Sequence, residues 1–473
     1  MCIVFFQAFS SPNADGSQSG PSDSVGADVG GIDQPRTETG DRHTPASASE
    51  SVMTDEGIGI SPAVHATLAR QYTLILASNR DEYLARPTRR PCFWGTEDAT
   101  KEKGWSSSPM GKELRKERLP GSGPAVKCAR RTRPSSSVLA DVWAGKDLTA
   151  GGTWMGLTRT GRFGVLTNVR TPKEDSVAAE IRTRAVNAVL PPESRTPGTV
   201  TPVKNRDGQK GMPSRSRGHL VMDYLTHPDG ALSPLAYAAS VAGTERKGPE
   251  RGGTSLLRDY AGFNLLVGDI GGASGGGVEM AYVTNKESVH NKVQILATDR
   301  LYALSNSALD VPWEKLTRGK QLFVDCLEEM TEGGKMAGEK GGIEEDDDRL
   351  AFALMDRLLQ DSQACGPATD TGYSTEFESK LARICIPGVL LRHETEGTEE
   401  GGSNFGVGAS APPRFGTTAS IVILVRRDGR ILCFEKGLEW DAARGSHTDV
   451  WSPLRKTEAR LVRPRMDCEI ECT

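Results

Sequence analysis

Residues 72–83 read YTLILASNRDEY, and the fold turns on how this stretch divides. Residues 72–78 are an apolar run of strand length, and Asn79-Arg80-Asp81-Glu82 read as a charged loop at the strand's end. Upstream, MCIVFFQAF (1–9) is apolar, β-branched and aromatic, without the basic start or the length of a signal peptide. It reads as a second buried strand. Downstream, strands are expected at 152–157, 162–168, 262–269, 279–284 and 292–297. Near the C-terminus, 420–426 and 430–435 flank Arg427-Asp428-Gly429, a hairpin turn. Asp310 is expected to cap a helix with Pro312 in its first turn, placing Trp313, Leu316, Phe323, Leu327 and Met330 on one face. Leu350, Phe352, Leu354 and Leu358 suggest another helix. Strands with clustered helices and no regular βαβ alternation predict an α+β fold of layered sheets.

A length of 473 residues would ordinarily divide into two or three domains. With 37% apolar residues, 6% aromatics, 53 Gly and 27 Pro, much of this chain reads instead as spacer. Spacers are expected at 10–70 and 96–141, both disordered, at 191–217 and 393–416, both flexible, and at 243–257 and 331–348, the last carrying an acidic run at 344–348. The remainder (about 1–9, 71–95, 142–190, 218–242, 258–330, 349–392 and 417–455) amounts to on the order of 280 residues, which suits a single domain spanning 1–473.

A net charge of −4 from 58 basic and 62 acidic residues excludes a globally basic nucleic-acid binder. No apolar run reaches the roughly 20 residues that span a bilayer. Residues 101–134 hold ten Lys or Arg and three Glu. That patch suits a peripheral contact with an anionic membrane, a nucleic-acid contact or a solvated loop, and the lack of aromatic interleaving and helical periodicity favours the loop. Nine cysteines without CxxC and seven single histidines give no disulfide framework and no zinc spacing, which reads as a reduced, intracellular chain. Neither metal nor cofactor is expected. Gly268-Asp269-Ile270-Gly271-Gly272 and Gly275-Gly276-Gly277 read as hairpin loops rather than phosphate cradles, and GKS, GxSxG and HExxH are absent.

Cys2 is the most informative residue for chemistry. Removal of Met1 would expose a free α-amino group, which titrates near 7.7–8.0 and can serve as general base for its own thiol. A cysteine at position 2 is also compatible with accident. Arg80 can orient a carboxylate or hold a thiolate, and Asp81 can accept from a protonated α-amine; an exposed charged turn explains the same residues. Asn168 and Asn306, at the end of a strand and before a helix, can donate to a developing oxyanion or simply make turns.

These landmarks together resemble the Asn-Arg-Asp-Glu (NRDE) family. The matching pieces are MCIVFF, LILASNRDEYLARPT (74–88), FWG (93–95), GGTWMGLTRTGRFGVLTNVR (151–170), SRGHLVMDYL (216–225), GFNLLVGD (262–269), YALSNSALDVPWEKLTRGKQLF (302–323) and SIVILV (420–425). The family is similar to the N-terminal-nucleophile hydrolases, which implies a four-layer α/β/β/α sandwich. Carried over, the resemblance makes Cys2 the nucleophile, sets Arg80 and Asp81 beside it, and gives Asn168 and Asn306 to the oxyanion or substrate. Asn79, Glu82 and Trp154 are implied as binding residues. Two departures stand out. A long spacer separates Cys2 from Arg80, and Gly416-Thr417-Thr418 replaces the family's frequent Gly-Thr-Arg. The resemblance further implies Golgi organisation, protein secretion and lipid, acyl-CoA or haem handling. It points to a small acyl-bearing ligand or substrate and a cytoplasmic, Golgi-associated or mitochondrial location. Three functions follow: a factor for Golgi organisation and secretion, a cysteine amidase or acyltransferase, and a non-catalytic binder of acyl-CoA or haem.

Overall fold

The computed structural model describes residues 2–11, 58–94, 139–170, 216–227, 232–243, 257, 260–271, 277–286, 289, 292–332, 343–369, 371, 373–390 and 413–462. Strand β1 (Cys2–Ala8) lies between β2 (Tyr72–Tyr83) and β10 (Leu301–Leu304), antiparallel to both, with Val4 opposite Ser78 on one side and Leu304 on the other. On its other edge β2 pairs with β12 (Arg414–Arg426), which reaches β13 (Arg430–Asp441) through the expected turn, where Gly429 adopts φ +84°. The short β11 (Val389–Leu390), β14 (Ser446–Trp451) and β15 (Arg455–Arg460) complete an eight-stranded antiparallel sheet. A second, seven-stranded sheet runs in simple sequence order: β3 (Thr88–Phe93), β4 (Val142–Asp147), β5 (Met155–Thr158), β6 (Arg162–Asn168), β7 (Phe263–Ile270), β8 (Val278–Thr284) and β9 (Val293–Ile295).

Strand alternation explains why both sheets are buried on two faces. Val4, Phe6, Leu76 and Ile423 point between the sheets and meet Met155, Phe163 and Leu266. Ile3, Phe5, Ile75 and Val422 point the other way, into a core completed by α1 (Pro62–Gln71), α4 (Glu314–Glu332) and α5 (Ile343–Ala353). The second sheet's other face packs Ala144, Leu265 and Val267 against α2 (Gly218–Leu225) and α3 (Pro234–Ala242). Each Leu, Ile or Phe fully buried this way stabilises the fold by about 1.5–3 kcal/mol. Helix α4 passes close over β1: a Cβ on Gly319 would lie 2.1 Å from the ring of Phe5. The α+β expectation holds, in two antiparallel sheets with few helices.

Several local expectations are corrected. Asn79–Glu82 do not form a loop; they continue β2, all four paired with β12 and, for Asn79 and Arg80, with β1 as well. Their polarity hid the strand, because their hydrogen-bond partners arrive from distant segments. The first spacer does not extend to residue 70. Ser61 caps α1 by accepting from the Val64 N–H, Pro62 opens the helix, and Val64 and Leu68 are buried. The segment 331–348 is helical at both ends, where α4 runs to Glu332 and α5 begins at Ile343. The acidic run occupies the first turns of α5, where the helix dipole favours negative charge. Residues 414–416, assigned to a spacer, open β12, and β15 extends the core past 455. Asp310 (φ 60°) does not cap α4. Pro312 disfavours helical geometry at Val311, the helix starts at Glu314, and Asp310 pairs with Arg300 (2.8 Å) instead. The helix expected from Leu350, Phe352, Leu354 and Leu358 is present as α5 and the π turn Leu354–Leu358 that continues it, with Phe352 49% exposed. The basic patch at 101–134, the core expected at 171–190 and most of the spacers lie outside the described residues. Among the described residues, no helix is long and apolar enough to cross a membrane.

Candidate functional site

Cys2 opens β1, directly opposite Arg80 on β2, and Arg80 is opposite Ala419 on β12. Facing pairs in an antiparallel sheet put their side chains on one side, so Cys2 and Arg80 both point between the sheets. There the Arg80 guanidinium lies 4.6 Å from the ring centroid of Trp154, a buried side chain of the opposing layer. Its Nη1 donates to Thr418 Oγ1 (2.8 Å), and the Thr418 hydroxyl donates back to the Arg80 carbonyl (3.2 Å). Thr418 is the extra residue of a β-bulge, since Thr417 pairs with Asp81 and Ala419 with Arg80. Glu82, on the same face, lies 3.8 Å from Arg80 and 3.6 Å from Arg86, and accepts from the Tyr83 N–H.

Asn79 and Asp81 point to the helix side of β2. The Asn79 amide donates to the carbonyls of Leu359 (2.8 Å) and Ile384 (3.0 Å), and its oxygen accepts from Ser420 Oγ (2.7 Å). This side chain stitches β2 and β12 to the segments that follow the helices. Asp81 accepts from Thr417 Oγ1 (2.7 Å). Asn306 follows β10 next to Cys2: neighbouring Ser305 Oγ donates to the Cys2 carbonyl (3.3 Å), while Asn306 Nδ2 donates to the Asn168 carbonyl (2.8 Å). That bond commits one of the two Asn306 amide hydrogens, and an oxyanion role would use the other.

Cys2, Arg80, Trp154, Glu82 and Thr418 thus share one face. Asp81 and Asn79 sit behind them, and Asn168 and Asn306 lie at the strand ends beside Cys2. Other buried residues complete the surroundings, and of these Arg170, Lys315 and Glu378 were not singled out in the sequence. Thr417 and Thr418 hold Asp81 and Arg80. Arg170 forms an ion pair with Glu378, donates from its backbone to the Asn306 carbonyl (2.8 Å) and lies 5.3 Å from the Trp313 ring centroid. Lys315 enters from α4. Arg170 and Lys315 lie inside quoted stretches, TNVR and PWEKL, and a cation in an otherwise apolar strand end or helix start was the signal available. Glu378, in α6 (Thr375–Leu381), carried none.

Burial dominates the electrostatics. Cys2 is 5% exposed; desolvation raises its thiol pKa, with Asp81 adding to the rise and Arg80 opposing it. Burial also raises the Asp81 carboxyl, opposed most by Lys315, and lowers Arg80, opposed most by Glu82. The arrangement can hold a thiol beside a fixed cation in a water-poor setting.

A family model described as transport and Golgi organisation 2 matches residues 62–102 and 127–439. The chain belongs to the transport and Golgi organisation 2 family. It is 26% identical over 371 residues to the "Transport and Golgi organization protein 2 homolog" of Bos taurus, covering 78% of this chain and 87% of the relative. The Homo sapiens protein of the same name gives the same identity and coverage. The Mus musculus "Transport and Golgi organization 2 homolog" is 28% identical over 321 residues, 67% of this chain and 77% of the relative. The span matched to the transport and Golgi organisation 2 family holds Arg80, Asp81, Trp154, Arg170, Lys315, Glu378 and Thr418, while Cys2 precedes it.

Proposed function

We propose that this chain, one domain interrupted by insertions, carries an acyl-transfer site of the N-terminal-nucleophile type on a four-layer α/β/β/α scaffold. Through that site it supports Golgi organisation, which the names of its relatives carry, and protein secretion, by handling a small acyl-bearing metabolite in lipid or acyl-CoA homeostasis. The observation that carries this reading is the Cys2–Arg80 pair, with Cys2 opening a central strand and its thiol on the same face as a cation backed by Trp154.

The chemistry uses the chain's own groups. With Met1 removed, the Cys2 α-amine takes the proton from Sγ as the sulfur attacks the acyl carbonyl carbon. Asp81 steadies the resulting ammonium and Arg80 the thiolate. The bond to the leaving group breaks, the leaving group takes the proton back from the ammonium, and a thioester remains on Cys2. Water then attacks the thioester, passing a proton to the amine, and releases the carboxylic acid with the thiol restored. An amine or thiol acceptor in place of water gives transfer instead of hydrolysis.

The test is intact mass and N-terminal peptide mapping of the protein from its own cell, followed by incubation with a short-chain acyl thioester. The expected result is a chain lacking Met1 that gains one acyl group on Cys2, a gain lost in Cys2→Ala. Retained Met1, an acetylated Cys2, or no acylation removes the enzyme. In that case the second reading stands, a ligand site without turnover, which the raised pKa of the buried thiol favours.

A further inference from the structure

Gly145 lies on β4 two residues after Trp143, and strand alternation puts both on the face between the sheets. Trp143 fills that layer with its own ring; at 145 the layer is filled from elsewhere. A Cβ on Gly145 would lie 2.3 Å from Trp154 Cη2, 2.6 Å from Cζ2 and 3.1 Å from Cζ3. The six-membered ring of the Trp154 indole thus occupies the space that a side chain at 145 would take. The backbone around Trp154 is pinned. Its carbonyl accepts from the Leu166 N–H (2.7 Å), the Thr153 hydroxyl donates to the Met155 carbonyl (2.8 Å), and Gly152 lies against the backbone of Gly218. The indole therefore has one seat. From it the ring backs the Arg80 guanidinium, 4.6 Å from the ring centroid, and Arg80 stands directly opposite Cys2. Among the described residues the guanidinium makes a single hydrogen bond, to Thr418 (2.8 Å). One bond leaves a long side chain free to swing about its tether, and the ring face removes that freedom.

We propose that Gly145 is a positioning residue: by ceding its place to the Trp154 ring, it sets the shelf that holds the Arg80 guanidinium beside the Cys2 thiol. What the held cation does there rests on the acyl-transfer reading; the seat itself does not. A methyl group at 145 forces the ring away by roughly 1 Å or more, since carbon atoms need about 3.5–4.0 Å. The guanidinium then loses its backing, and an anionic reagent approaching Cys2 loses a fixed cation. If Thr418 alone held Arg80, nothing done at 145 would reach Cys2. General loosening has a different signature, because it would open the thiol, 5% exposed in the fold, to charged and neutral reagents alike.

The experiment measures alkylation of Cys2 by iodoacetate and by iodoacetamide, read by peptide mapping of the full chain at pH 7. In Gly145→Ala the iodoacetate-to-iodoacetamide rate ratio should fall about fivefold, the worth of one charge contact at about 4 Å in water. Trp154→Leu, which removes the aromatic face without a collision, should lower it equally. Phenylalanine at 154 keeps a ring for the guanidinium but ends short of the atoms that collide. The Gly145→Ala/Trp154→Phe double variant should therefore regain most of the ratio. If Gly145→Ala fails to fold, Trp154→Phe against Trp154→Leu carries the same test, with Phe retaining more of the ratio. Cys433 on β13, 2% exposed, reports loosening and should not change. A parental ratio in Gly145→Ala or Trp154→Leu, a double variant no better than Gly145→Ala, a rise at Cys433, or a parental Cys2 that neither reagent labels overturns the proposal. Incubation of the same samples with the acyl thioester keeps the questions apart. The alkylation pattern without Cys2 acylation retains the Gly145–Trp154–Arg80 seat and sinks the acyl-transfer function; acylation without the pattern does the reverse.

Discussion

Gly319→Ala sets two general effects against each other with opposite signs. Alanine is the better helix former, which alone would stabilise α4 by about 0.5–1 kcal/mol. Its methyl group, however, would lie 2.1 and 2.4 Å from the Cζ and Cε1 atoms of Phe5, a ring with no exposure. Ordinary carbon contacts need about 3.5–4.0 Å, so helix or ring must shift by roughly 1.4 Å or more inside a close-packed core. Overpacking of that kind costs about 1–3 kcal/mol. The net expectation is a loss of about 1–2 kcal/mol. Urea unfolding followed by tryptophan fluorescence reads it directly: with a slope near 3 kcal/mol/M, the midpoint falls by about half a molar. Phe5→Leu in the Gly319→Ala background should recover part of the loss, since it removes ring atoms at the point of collision. A Gly319→Ala protein as stable as the parent, or more so, would refute the close approach of α4 to β1.

Glu378→Gln leaves the buried Arg170 guanidinium without its carboxylate and should cost about 3–5 kcal/mol in the same assay. Arg170→Met with Glu378→Leu should cost less than that single change, and a single-variant loss below about 1 kcal/mol would show the pair to be solvated. Burial lowers the Lys315 ammonium to about 8, below its ordinary range near 10.4. Between those values the unfolded chain holds a proton that the folded chain has released, so stability should rise with pH across that window by on the order of 3 kcal/mol. Lys315→Met should lack the rise, and parallel curves for the two proteins would refute the burial. Finally, both ends of the first insertion meet at Asp299, whose Oδ1 accepts from the Ser10 N–H and contacts His65 Nε2, each at 2.9 Å. Replacing 12–57 with a flexible linker roughly six times shorter should preserve the fold and raise stability by about 1.5 kcal/mol from loop closure; a chain that no longer folds would show that the insertion is structural.

The apolar strands were legible because each needs only a run or alternation of side chains that its two faces impose. The strand at 162–168 and the buried face of the helix carrying Phe323 and Leu327 were read from local pattern alone. Cys2, Arg80 and Asp81 were legible as chemistry, because residue type at a strand's end limits what such groups can do. Their neighbours were not. Lys315 and Glu378 sit far from Arg170 in sequence and acquire meaning only when α4 and α6 bring them to the end of β6, where Glu378 pairs with Arg170 and Lys315 shares the Trp313 ring with it. The same cause hid β2's full length: Asn79, Arg80 and Asp81 are too polar to read as buried strand until Ser420, Thr418 and Thr417 arrive from β12 to take their hydrogen bonds. By itself the sequence determined the layered α+β class, the family and the nucleophile candidate, all of which rest on contiguous stretches. Tertiary structure decided which face each polar side chain occupies, which ions pair in the interior and how deeply the thiol is buried, since burial and charge are properties of segments brought together from opposite ends of the chain.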